Sequence, residues 1–171
     1  IAEPLASFNE TFNLGISKKE AIAYKYYDFE NINSNNLCDI NYYKSFLNNK
    51  NIKFYLAGGN NDIENQIANE IINAVKENKI ESLCSLSIEE IMPIINSSKL
   101  YIGNDTGFMH LSAGLNIPTI GLFGDTPLSY ANYTKNILPV IPDKFKTVGH
   151  NSMAINQIKV DQVLNEVKKF I

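Results

Sequence analysis

The chain has 171 residues, with 15 Lys+Arg against 18 Asp+Glu and a formal charge of −3. That length suits one ordinary domain with a sizeable core. Hydrophobic residues make up 44% and charged residues 19%, and no apolar run approaches the roughly 18 residues that cross a bilayer, so a membrane-spanning helix and wholesale disorder are both excluded. All the basic residues are lysines, so the chain cannot make the bidentate guanidinium contacts that read phosphate or guanine. With no basic cluster beyond Lys18–Lys19 and Lys168–Lys169, it lacks a nucleic-acid footprint. Cys38 and Cys84 have no CxxC spacing and no His or acidic cluster beside them, which reads as two reduced thiols rather than a disulfide or metal site.

Residues 1–20 show no clear period. Ala21–Tyr27 is a short apolar and aromatic stretch suited to a strand, and Leu37, Ile40, Tyr43 and Phe46–Leu47 recur at helical spacing. Residues 1–50 are therefore a segment of linker, strand and helix leading into a domain at 51–171. The chain opens on Ile1 rather than on an initiator Met.

From Ile52 the order is regular. Ile52–Ala57 is an apolar run closed by Gly58–Gly59, as expected of a strand buried on both faces. The stretch 62–77 places Ile63, Ile67, Ile71 and Val75 at four-residue intervals, which predicts an amphipathic helix with that stripe buried. Glu81–Ser85 reads as a short strand. Ser87 and Glu90 form a Ser-x-x-Glu capping box at the head of a helix whose buried stripe is Ile88, Ile91, Met92 and Ile95. Strands at 100–103 and 118–123 flank a helix at 106–115, a further strand fits 137–141, and a last helix from Asp161 turns Val163, Leu164, Val167 and Phe170 inward. Strands alternating with helices in this way predict an α/β fold: a Rossmann-like doubly wound parallel sheet, with the strands at 52–57, 100–103 and 118–123 ending on one side.

Ligands of such sheets sit beyond the carboxyl ends of the strands. Three loops lie there: Gly58–Gly59–Asn60–Asn61–Asp62, Gly103–Asn104–Asp105–Thr106–Gly107, and Gly124–Asp125–Thr126–Pro127. The second runs directly into a helix, whose first amides and dipole favour an anion without any arginine. Gly103 and Gly107 permit close backbone approach, and the Thr106 hydroxyl can add a hydrogen bond. Asp105 is expected to cap the helix or orient Thr106, because its carboxylate would repel a diphosphate. His110 follows Thr106 by four residues, on the same helix face, and is a candidate for the cleft.

The run YIGNDTGFMHLSAGLNIPTIGLFGDT, preceded by Leu100, closely resembles the DTGxxH signature of the family 9 glycosyltransferases, the ADP-heptose:lipopolysaccharide heptosyltransferases and their relatives. The likeness extends upstream through LAGGNNDIE and SLSIEEIMPIINSS and weakly downstream through SMAINQIKVDQVLNEV, about 120 residues from Ile52 to the C-terminus. It implies the C-terminal, donor-binding half of a GT-B enzyme, an inverting transferase moving a sugar, heptose above all, from an ADP-linked or similar nucleotide sugar to a lipopolysaccharide or other glycan acceptor. Asp105, Thr106, Gly107 and His110 fall on the motif around the donor diphosphate. Gly58, Gly59 and Asp62 or Glu64 fall where the nucleotide is held, and Gly124 and Thr126 on the cleft loop.

The resemblance implies no cofactor beyond the donor substrate, no metal, and a cytoplasmic location with peripheral contact at the inner membrane through another domain. The catalytic base is expected on an acceptor-binding N-terminal domain that has no counterpart in the first 50 residues. A Lys-x-Trp-Pro-like stretch of the family is absent too: the chain has no Trp, and Lys25–Tyr26–Tyr27 is a distant stand-in. The competing expectation is a non-catalytic nucleotide-binding or assembly module derived from such a domain. An epimerase of GT-B type is a third.

Overall fold

A computed structural model of the chain describes residues 21–25, 52–75, 80–150, 152 and 154–170. The helix expected from Leu37 to Leu47, Cys38, and Tyr26–Tyr27 lie outside the described residues. Six strands form one sheet: β1 (Ala21–Lys25), β2 (Lys53–Leu56), β3 (Ile80–Ser82), β4 (Leu100–Asn104), β5 (Thr119–Leu122) and β6 (Ile137–Val140). Their order is β3-β2-β1-β4-β5-β6 and every pairing is parallel. The strands expected at 52–57, 100–103 and 118–123 thus all end on the same side. β1 lies at the centre of the sheet between β2 and β4, so the Rossmann-like unit takes a middle strand from ahead of residue 51.

Four α-helices accompany the sheet among the described residues: α1 (Asp62–Val75), α2 (Ile88–Ser97), α3 (Gly107–Gly114) and α4 (Val160–Val167). Alternation along the strands separates two cores. Phe54, Leu56, Leu100, Ile102, Ile120 and Leu122 point to one face, under α1 and α4. Tyr55, Tyr101 and Phe123 point to the other, under α2 and α3. The near-continuous apolar strands follow from this, since both of their faces are covered.

Two helix faces differ from the periodic reading. Ile63 is 52% exposed, and the buried face of α1 runs through Glu64, Ala68 and Ile71, flanked by Ile67 and Ile72. The cause is local: the Glu64 carboxylate turns in to accept the Gly59 amide, and Ile63, about 100° away around the helix, is carried to solvent. Ile88 is 59% exposed, whereas Ile91, Ile94 and Ile95 are buried. The capping box beside it is intact, with Ser87 N donating to Glu90 Oε2 at 2.8 Å and Glu90 N to Ser87 Oγ at 3.4 Å. That box is exposed, and the first turn of α2 stands out from the core with it.

Candidate functional site

Chain connections leave the sheet in opposite directions from β1 and β4, so a crevice opens between their carboxyl ends, the place where open α/β sheets hold ligands. Lys25, the last residue of β1, is in register with Gly103 of β4. Beyond it the chain turns through Asn104, Asp105 and Thr106 into α3. Two glycines set the distances. At Gly121 on β5 a Cβ would stand 2.7 Å from both Met109 Sδ and Phe123 Cε2, so a larger residue would displace side chains packed between α3 and the sheet. At Gly103 the space of a Cβ is filled by the Tyr101 phenol, which lies along the strand towards the crevice.

Tyr101 is wholly buried and its hydroxyl has no hydrogen-bond partner. Burial pushes this phenol well above the usual tyrosine range, and the neighbouring Thr106 side chain offsets part of the rise. Thr106 is the N-cap of α3, with extended backbone at φ −140 and ψ 170, yet its side chain makes no capping hydrogen bond. The Thr106 Oγ1 is buried and unpartnered as well. Two buried hydroxyls, adjacent to one another and bonded geometrically to no other group, therefore lie at the positive end of a helix, next to amides that no intrahelical carbonyl can satisfy. At Gly107 an added Cβ would meet nothing within 4 Å, and no left-handed φ demands glycine. The space in front of Gly107 is open.

Asp105 neither caps α3 nor orients Thr106. Its side chain is only 8% exposed, and Oδ1 lies 3.0 Å from His110 Nε2. The other ring nitrogen, Nδ1, is 2.7 Å from the Tyr133 hydroxyl, and the two rings stand 5.6 Å apart. His110 is thus held from both sides rather than turned freely to the cleft. The reason lies in helix geometry: a side chain one turn inside α3 returns over the turn before it, which brings the imidazole onto Asp105. Burial first, and the Asp105 charge second, push the Tyr133 phenol above its ordinary value.

The remaining candidates divide. Gly58 is buried and Gly59 half-buried at the end of β2, and Asp62 is exposed at the head of α1. Glu64 spends one carboxylate oxygen on the Gly59 amide, while its own amide donates to Asn61 Oδ1 at 3.0 Å. Gly124 is buried against the backbone of Ile155, and its carbonyl accepts from the Ala154 amide at 3.2 Å. It anchors the C-terminal segment rather than lining a cleft. Thr126 is half-buried. Two residues of the site escaped the sequence reading. Tyr101 carries the signal of a bulky residue two positions before a glycine on one strand face, and Tyr133 carries none, because its partner is 23 residues away. Among the described residues no group of His, Cys, Asp and Glu side chains is placed to hold a metal ion, and no helix is long and apolar enough to cross a membrane.

A parallel sheet in the order 3-2-1-4-5-6, with a helix N-terminus facing the switch-point crevice, defines a Rossmann-like, doubly wound α/β protein. Residues 42–152 match the model of glycosyltransferase family 9 (heptosyltransferase), and the chain belongs to that family. It is 35% identical over 126 residues to lipopolysaccharide heptosyltransferase 1 of Campylobacter coli, a match covering 69% of this chain and 36% of the relative. The chain thus spans about a third of the length of that relative. Among solved structures it resembles the E. coli heptosyltransferase WaaC with ADP, at TM-score 0.72 and 18% identity, over 98% of this chain and 48% of that one. E. coli ADP-heptose lps heptosyltransferase II is similar at TM-score 0.69 and 18% identity, over 97% and 50%. The fold is the Rossmann-like α/β unit of GT-B heptosyltransferases.

Proposed function

We propose that this chain is the donor-binding half of an inverting GT-B glycosyltransferase, which moves a heptose from an ADP-linked donor to a lipopolysaccharide or other glycan acceptor. The observation that carries this reading is the α3 mouth: Thr106 Oγ1 is buried without a partner, beside the open space in front of Gly107 at the sheet's switch point. The names of the family relatives support the donor and acceptor classes.

In this reading the amides at the start of α3 and the Thr106 hydroxyl hold the donor diphosphate, and Asp105 acts through His110. Charge grows on the departing diphosphate as the sugar takes on oxocarbenium character. Fixed dipoles aimed at that charge stabilise it without having to reorganise. Gly58 and Gly59 let the nucleoside approach the backbone, with Asp62 or Glu64 as the carboxylate near the ribose and Thr126 at the rim. No metal takes part. The base that activates the acceptor comes from an acceptor-binding domain, and that domain makes peripheral contact with the inner membrane from the cytoplasm.

The test is calorimetric titration of the chain with ADP, UDP and GDP, with and without EDTA, repeated on Gly107→Val. ADP is expected to bind best and to be insensitive to the chelator. Gly107→Val is expected to keep its melting temperature, since its side chain meets open space, and to lose about tenfold or more in ADP affinity, the scale of one charged hydrogen bond. Affinity abolished by EDTA, or unchanged in Gly107→Val, would place the diphosphate elsewhere.

A further inference from the structure

The chain of contacts Asp105–His110–Tyr133 extends the donor-site reading to a residue outside the DTGxxH stretch. Among the described residues, Asp105, in the turn before α3, and Tyr133, in the turn after the short 3-10 helix Leu128–Ala131, are the titratable groups in contact with the His110 ring, at 3.0 and 2.7 Å. A carboxylate only accepts, so the neutral ring carries its proton on Nε2 and gives it to Asp105. Nδ1 is then an acceptor, and the Tyr133 hydroxyl must donate to it. In that state neither the imidazole nor the phenol has a donor left for an anion.

We infer that Tyr133 is a ligand-binding residue of this site, presenting the outer hydroxyl of the relay to a diphosphate oxygen while His110 and Asp105 set its proton. The inference rests on the reading of the α3 mouth as the diphosphate site. Its accounting is simple. When an anion arrives, one proton is taken from solvent onto Nδ1. Nδ1–H now donates to the Tyr133 oxygen, and the phenol's own proton turns to the anion. No other bond is made or broken. Position supports the assignment: Tyr133 is 59% exposed as a residue, and its hydroxyl lies 2.7 Å from His110 Nδ1. His110 stands four residues, about 6 Å along the helix, from Thr106. The buried Tyr101 and Thr106 hydroxyls, which lie beside one another with no geometric hydrogen bond to any other group, add polar capacity at this mouth. The alternative is that the anion displaces Tyr133 and bonds the imidazole directly, which makes the phenol a competitor of the ligand.

Calorimetry with ADP on the whole chain separates these cases, using buffers of different ionisation heat, for the unmodified protein, Tyr133→Phe, His110→Ala and the double variant. The expected result is proton uptake on binding, an affinity loss of about tenfold in Tyr133→Phe together with loss of the uptake, and a double variant no weaker than His110→Ala alone. Affinity that is unchanged or tighter in Tyr133→Phe would show that the imidazole meets the ligand itself. Losses that add in the double variant would show that the two residues act separately. Either result overturns the assignment while leaving the donor site standing. Failure of the unmodified protein to bind ADP would remove the donor-site reading and this inference with it. Thermal melts confirm folding, since both substituted side chains are partly or largely exposed.

Discussion

Tyr101 and Gly103 are two positions apart on β4, so they share a face of the sheet, and the absent side chain of one makes room for the phenol of the other. The arrangement brings an unpaired hydroxyl into the interior, where it stays protonated because burial disfavours the phenolate. The sign of the pH effect follows. Above the ordinary tyrosine value of about 10, the unfolded chain releases this proton and the folded chain keeps it, so the folded state binds more protons and stability falls as pH rises. Tyr101→Phe removes that term. Urea denaturation at pH 8 and at about pH 10.5 is expected to show a smaller alkaline loss in Tyr101→Phe than in the unmodified protein. An equal loss in both would mean that other groups govern the alkaline limb. At this same scale Asp105, Thr106, Gly107 and His110 were singled out in the sequence by the strand-to-helix turn together with the resemblance to the DTGxxH stretch. The pairing of Asp105 with His110 was not, because it depends on how a side chain one turn inside a helix falls back over its own N-terminus.

At the scale of elements, hydrophobic period located α1, α2 and α4, but it did not set the rotation of α1 or the depth of the first turn of α2. Both were decided by polar groups. The Glu64 carboxylate binds the Gly59 amide and turns α1, and the exposed Ser87–Glu90 box holds the head of α2 outward. The contrast is measurable in α2. Ile95→Ala, at 0% exposure, is expected to cost about 2–5 kcal/mol of stability, the range for emptying a packed aliphatic site. Ile88→Ala, on the same predicted stripe but 59% exposed, is expected to stay within about 0.5 kcal/mol. Denaturant melts of the two variants check both. Comparable losses would restore the purely periodic reading.

Across the whole molecule, the sheet separates two cores, and the end of the chain closes one of them. Val163 and Val167 of α4 pack against Leu100, Ile102, Ile120 and Leu122 on the face shared with α1. The segment leading to α4 is tied to the end of β5, where the Ala154 amide reaches both the Gly124 carbonyl and Asp125 Oδ1. Each fully buried valine contributes about 1.5–3 kcal/mol, and a domain has only about 5–15 kcal/mol in all. Removing residues 160–171 is therefore expected to consume several kcal/mol of stability, read as a large fall in the urea midpoint. A midpoint that stays in place would mean that α4 is an appendage and not part of the core. In the Pro-bearing stretch between β5 and α4 the sequence indicated only the strand at 137–141. Its structure comes from where its ends are held, and the two turns that place Tyr133 and anchor Gly124 belong to it.

The sequence by itself determined the class of fold and the location of the crevice. Apolar strand runs, helical spacing and the Gly-Asn-Asp-Thr-Gly turn are all local signals, carried by residues within a few positions of one another. The tertiary structure decided what those residues touch. It set β1 at the centre of the sheet, because strand order is a matter of long-range pairing. It put Gly124 to structural use, through a backbone contact with Ile155 some 30 residues on. It assembled Asp105, His110 and Tyr133 from the turn before α3, α3 itself and the turn after the 3-10 helix. A hydrogen bond such as that between His110 and Tyr133, 23 residues apart, leaves no periodicity behind, and only folding brings its partners to 2.7 Å.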